Sequence, residues 1–131
     1  MLYREIKKIK TKRNDFLDLT DEISKILDKC EIKEGVCNIF LKATTAGLMI
    51  NENDLLLKND FKKFFNDIAE ENKLYTHPEN AFSHIRASML NKNITIPISN
   101  GKPLLGKWQS ILLWEFDTND REREIIITVS D

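Results

Sequence analysis

Between Leu55 and Asn72, apolar residues fall three and four positions apart. Leu57, Phe61, Phe64, Phe65 and Ile68 form one stripe, and Lys58, Lys62, Lys63 and Asp67 take the other side. That period predicts an amphipathic helix with its lysines in water. The same spacing recurs at Ile23, Ile26, Leu27 and Cys30. Thr20 stands where an N-cap belongs, and Asp21 and Glu22 follow in the first turn, where the helix dipole favours negative charge. A third helix is predicted over "AFSHIRASMLN", with Phe82, Ile85 and Met89 inward and Asn91 as a left-handed C-cap.

Elsewhere the pattern is that of strands. Gly35 breaks the chain, after which "VCNIFLKATT" and "GLMIN" read as strands. "ITIPI" reads as another, "SNGK" supplies an Asn-Gly hairpin turn, and "REIIITVS" closes the chain. "KWQSILLWEF" alternates Trp108, Ser110, Leu112, Trp114 and Phe116 against Gln109, Ile111, Leu113 and Glu115. Both of its faces are rather apolar, which places it at the centre of a sheet or at a subunit contact. Tyr3 to Lys12 does not alternate cleanly, and Tyr3, Ile6 and Ile9 fit an edge strand with a bulge. Strands interleaved with two or three helices, with at least one antiparallel pair, predict an α+β fold built on a β-sandwich or curled sheet.

Composition narrows the class. A chain of 131 residues without internal repeats or a Pro/Gly-rich linker is expected to form a single domain over 1–131. Hydrophobic residues at 41% and charged residues at 31% are ordinary for a soluble globular protein. The net charge of -1 gives no basic field to draw nucleic acid. No apolar run approaches the roughly 20 residues needed to span a membrane. The N-terminus is charged from Arg4 onward and lacks an apolar signal core, so a cytoplasmic protein is expected. Cys30 and Cys37 lack a metal-binding spacing. Two free buried thiols are expected in a reducing compartment, with a disulfide as the alternative.

Few residues carry candidate chemistry. There are two histidines, His77 in "YTHP" and His84 in "FSHIR". His84 lies beside the buried stripe of its helix, with Arg86 and Ser88 close by in sequence. Such a cluster near a helix start is a candidate anion site, because arginine grips phosphate in a bidentate fashion. The plainer alternatives are a loop histidine at 77 and a helix-surface histidine at 84. Glu52, flanked by Asn51 and Asn53, and Glu115, next to Trp114, are candidate acid/base or metal-ligating carboxylates. Solvated carboxylates in turns are the commoner outcome. There is no Gly-rich phosphate loop, CxxC pair or nucleophile elbow.

The order of motifs is more specific. "ATTAGLMINEN", "NDFKKFF", "SHIRASML", "IPISNGKPLLGKWQSILLWEF" and a terminal "REIIITV" follow one another along nearly the whole chain. This order resembles the YjbQ-like family. The family pattern runs His-Thr-Thr/Ser-Ala into Asn-Glu-Asn, then an aspartate-led helix, Tyr-x-His, a His-Ile-Lys segment, Gly-x-Trp-Gln-Gly and a late glutamate. The resemblance implies an α+β fold with a β-sandwich of about seven strands and inserted helices. It also implies a homotrimer with sheets packed around the threefold axis, which would suit the two-sided strand around Trp108 and Trp114.

For function, the resemblance implies a weak thiamine-phosphate synthase activity. Hydroxymethylpyrimidine diphosphate would be joined to a thiazole phosphate and pyrophosphate released. Thr44 and Thr45 match the family's threonine pair, Asn51, Glu52 and Asn53 its Asn-Glu-Asn, and His77 and His84 two of its histidines. Arg86 replaces its lysine, Trp108 and Gln109 match its Trp-Gln, and Glu115 its glutamate. The expected catalytic groups are His84, Glu52 and His77. Thr44, Thr45, Asn53, Arg86, Trp108, Gln109 and Glu115 are expected to bind a small phosphorylated metabolite. A divalent metal, magnesium or zinc, is a further expectation, held by His77 and His84 with Asp60 or Glu52. Departures weaken the parallel. Ala43 stands where the family has a histidine, "PENAF" replaces an acidic segment, Phe82 replaces a proline and Ser110 a glycine. A catalytically impaired trimeric binding or scaffold protein and a metal-dependent hydrolase are the alternatives. The polar ends of "KATTAGLMINEN" read as two walls of one pocket.

Overall fold

The computed structural model describes all of residues 1–131. It contains eight strands and three helices: β1 (Leu2–Lys10), β2 (Asp15–Asp18), α1 (Thr20–Lys29), β3 (Gly35–Leu41), β4 (Ala46–Asn51), α2 (Leu55–Ile68), α3 (Ala81–Ser88), β5 (Asn93–Ser99), β6 (Lys102–Pro103), β7 (Ser110–Glu115) and β8 (Glu122–Ser130). Five strands form one antiparallel sheet in the order β1-β8-β3-β5-β6, and three form a second in the order β2-β7-β4. This is the expected α+β fold, with one strand more than the resemblance implied. The two short strands that the sequence pattern does not show, β2 and β6, carry too few residues to show a period.

Two apolar layers explain why β7 has no polar face. Ile111 and Leu113 point into a core shared with α1 and the inner face of the five-stranded sheet, including Ile23, Ile39 and Ile127. Leu112 and Trp114 point the other way, into a second core with Phe65 of α2 and Ala87 of α3. β7 is therefore a central strand buried on both sides. Trp114 is fully buried inside the chain and not at a subunit contact. Its ring packs edge-on against Phe16 and Phe65, each with centroids 5.2 Å away. Such aromatic contacts each add about 1 kcal/mol beyond area burial.

Local departures from the sequence reading have identifiable causes. β1 has no bulge and pairs in register with β8 from Leu2↔Ser130 to Lys10↔Glu122. Its alternation is weak because apolar Leu2 and Ile6 sit on the exposed face while Glu5 and Lys7 share the inner face with Tyr3 and Ile9. Leu19, not Thr20, occupies the cap of α1. The Thr20 hydroxyl donates to Asp18 Oδ1 at 2.6 Å and accepts from the Ile111 amide at 2.9 Å, stitching α1 to β7. On α2, Asp54 is the N-cap and accepts from the Leu57 amide. Phe65 carries the burial, Phe64 and Ile68 are exposed, and Lys58 folds back onto Asp15 at 2.6 Å.

On α3 the buried stripe is Phe82, Ser83, Arg86 and Ala87, and Ile85 and Met89 face outward. Asn91 is no left-handed cap. It forms an antiparallel bridge with Leu48 of β4. The hairpin turn is as expected, with both Asn100 (φ 53°) and Gly101 (φ 73°) left-handed, the signature of a type I′ turn. Cys30 and Cys37 are free and buried, and burial pushes the Cys37 thiol up to about 11.

Candidate functional site

The first turn of α3 and the loop before it bring the two histidines together. Their rings meet edge to face, with centroids 5.4 Å apart and planes at 81°. With Ala81 and Ile85 they line a shallow hollow of about 270 Å³. His77 is exposed and His84 half-buried. His77 Nε2 lies 2.9 Å from Asn80 Oδ1. The Asn80 backbone carbonyl accepts from the Ser83 amide at 3.0 Å, which starts the helix beside the pair.

Behind this pair runs a connected polar interior. Asn80 Nδ2 donates to Asp117 Oδ1 at 3.4 Å, and the Thr45 hydroxyl donates to Asp117 Oδ2 at 3.1 Å. Arg121 Nε reaches the same Asp117 oxygen at 3.1 Å. Arg123 Nη2 donates to Thr45 Oγ1 at 2.8 Å, and its guanidinium grips both oxygens of Glu115. The Thr11 hydroxyl completes Glu115 with a 2.6 Å bond. No buried side-chain polar atom is left without a partner. Burial raises the Asp117 pKa, but bonds from the Thr118 amide, Asn80 and Thr45, with the charge of Arg121, more than offset it and hold the carboxyl below its usual range.

Several expected site residues are spoken for elsewhere. Glu115 is fully buried and bound to Arg123, so its oxygens face no cavity. Arg86 turns away from the histidines. Its Nε donates to the Ala69 carbonyl at 3.0 Å, closing the C-terminus of α2, and its guanidinium rests over Phe82. Thr45 is buried in the polar network, whereas Thr44 is exposed. Trp108 and Gln109 precede β7 in an exposed loop, where Gln109 Oε1 accepts from the Gly106 amide.

The two polar ends of "KATTAGLMINEN" are not walls of one pocket. Ala46 pairs with Glu115 and Asn51 with Ser110, so the threonines and Asn-Glu-Asn lie at opposite ends of β4. A six-residue strand separates them by roughly 20 Å. At the far end, Asn53 Nδ2 donates to Asp18 Oδ2 at 2.9 Å and Glu52 is half-buried. Asp60 is exposed on α2. Nowhere do three His, Cys, Asp or Glu side chains converge as a metal site. His77 and His84 are two donors, short of the three that a catalytic zinc requires. Magnesium prefers carboxylate oxygens, and Asp117 is already held by Arg121, Thr45 and Asn80.

Sequence reasoning missed Asn80, Asp117, Arg123 and Thr11. A signal for two of them was present. Arg123 shares strand parity with Ile125, Ile127 and Val129, and Thr11 continues the parity of Ile9, so both point inward.

An antiparallel two-sheet α+β chain with a paired-histidine hollow at one end of its second sheet defines the class of protein. The chain belongs to the UPF0047 protein YjbQ-like family, whose pattern matches residues 4–131. It is 40% identical to the UPF0047 protein MJ1081 of Methanocaldococcus jannaschii, over 92% of this chain and 89% of that one. It is 31% identical to the UPF0047 protein YjbQ of Escherichia coli O157:H7, over 98% of each chain. Among solved structures, a YbjQ-like protein of unknown function from Sulfolobus solfataricus P2 superposes with a TM-score of 0.91, at 30% identity and covering 98% of this chain and 96% of that one. No helix is long and apolar enough to cross a membrane.

Proposed function

We propose that this chain binds a small phosphorylated metabolite in the His77–His84 hollow and acts there as a weak transferase of the thiamine-phosphate synthase type. The observation that supports this most is the pair of imidazoles at the mouth of one hollow, 5.4 Å apart. In the reaction, the thiazole ring nitrogen attacks the pyrimidine methylene carbon. The carbon–oxygen bond to the diphosphate breaks, and its electron pair leaves with pyrophosphate. What that step needs from the protein is a hydrogen-bond donor for the departing charge. An N–H of the His84 ring, which lines the hollow, is suited to that task. Arg86 is committed to α2 and is left out of this assignment.

The test is a coupled assay with hydroxymethylpyrimidine diphosphate, thiazole phosphate and magnesium, following thiamine phosphate. Product formation that is lost in His84→Ala is the expected result. No product from the unaltered protein would remove the transferase assignment.

Ala43 favours a second reading, a non-catalytic binding protein whose hollow holds the phosphorylated ligand without turnover. Restoring the histidine by Ala43→His is expected to raise activity, and no change at all would count against this reading.

We further propose that the chain forms a homotrimer through the outer face of its five-stranded sheet. Ile6, Ile126 and Phe40 form a cross-strand row there, with Leu2 and Val36 four residues along. Ile6, Phe40, Leu2 and Val36 are each more than 40% exposed. A cytoplasmic setting, where thiols stay reduced, accords with the free Cys30 and Cys37.

A further inference from the structure

We infer that Asn80, backed by Asp117, is the positioning residue of the histidine hollow: it holds His77 with its proton on Nε2, so that Nδ1 is the nitrogen available to a ligand. This rests on the reading of the hollow as a ligand site. The argument starts from Asp117, which is an acceptor. It is nearly fully buried, and its carboxylate takes bonds from the Thr118 amide at 2.7 Å, from Thr45 and from Arg121. A carboxylate so fixed accepts from the NH₂ end of the Asn80 amide, at 3.4 Å. The amide is planar, so its oxygen end then points the other way, and it lies 2.9 Å from His77 Nε2. An amide oxygen donates nothing, so Nε2 must carry the hydrogen. In the neutral ring the lone pair is therefore on Nδ1.

The consequence for recognition is specific. A neutral His77 accepts a hydrogen bond from a bound ligand, as from an exocyclic amine or a protonated phosphate oxygen. When protonated it donates through Nδ1 while Nε2 stays tied to Asn80. His84 has no such partner in the network, so the two histidines differ in role, although either could have been taken for the other in sequence.

Nitrogen NMR on the intact protein tests this. Long-range proton–nitrogen correlations at neutral pH are expected to show the protonated-type shift at His77 Nε2 and the lone-pair-type shift at Nδ1. The Nε2 proton is expected to be protected from exchange, and Asn80→Ala to lose that protection at least tenfold. The unaltered spectrum carries the test even if the variant folds poorly. A proton on Nδ1, or protection unchanged in a folded Asn80→Ala, overturns the inference. Adding inorganic pyrophosphate to the same sample separates the underlying reading. A protected Nε2 proton with no shift of either histidine on titration keeps the positioning and removes the hollow as the phosphate site.

Discussion

Arg123 holds Glu115 with two arms, Nε lying 2.7 Å from Oε1 and Nη2 meeting Oε2, in a part of the interior where the glutamate has no solvent exposure. A pair so placed is costly to break from one side, because the partner left behind is a buried charge with nothing to balance it. Arg123→Met is therefore expected to destabilise the fold by about 3–5 kcal/mol. Urea unfolding followed by circular dichroism measures this. A loss under 1 kcal/mol would mean that water reaches Glu115 in solution.

Acid should act on the fold through Asp117. Its carboxyl is held below the usual range in the folded chain and returns to an ordinary value when unfolded. The folded state thus gains stability from this group above the unfolded pKa and loses it as pH falls through the folded one. Melting temperature is expected to drop as pH falls below about 4, and Asp117→Asn to flatten that drop while lowering stability at neutral pH. A variant whose acid limb matches that of the unaltered chain would move the effect to another carboxyl.

Gly47 marks a close approach between β4 and the segment that follows α3. A Cβ built there would stand 2.6 Å from Leu90 Cβ. Gly47→Ala must push Leu90 and the segment after α3 outward, with an expected cost of about 1–3 kcal/mol. Leu90→Ala in the same chain should recover part of that cost, since it removes the atoms that collide. Additive losses in the double variant would show that the two positions do not touch.

The outer sheet face gives a prediction about assembly. Phe40→Glu places a charge at one end of the Ile6–Ile126–Phe40 row. Light scattering is expected to report a lower mass for this variant, with its circular dichroism spectrum unchanged. A mass equal to that of the unaltered protein would locate any subunit contact elsewhere.

Much of the fold was legible because period and burial agree. Ile125, Ile127 and Val129 alternate inward, and α1 shows its stripe at Ile23, Ile26 and Leu27. α3 was misread because its inward positions include Ser83, Arg86 and Ala87, which carry no hydrophobic signal. Arg86 looked like an anion ligand for the same reason. Only the three-dimensional path of α2 reveals that its guanidinium is needed at the Ala69 carbonyl. The histidine pair was half legible. Six residues lie between His77 and His84 in sequence, and the turn that folds one ring against the other leaves no periodic trace.

The three-stranded sheet is a wall with a core on each side, and β7 contributes side chains to both. Neither core can open without exposing the other's lining. Heat or denaturant should then take the chain apart in a single cooperative event, with the tryptophan environment at Trp114 and the backbone signal of the five-stranded sheet disappearing together.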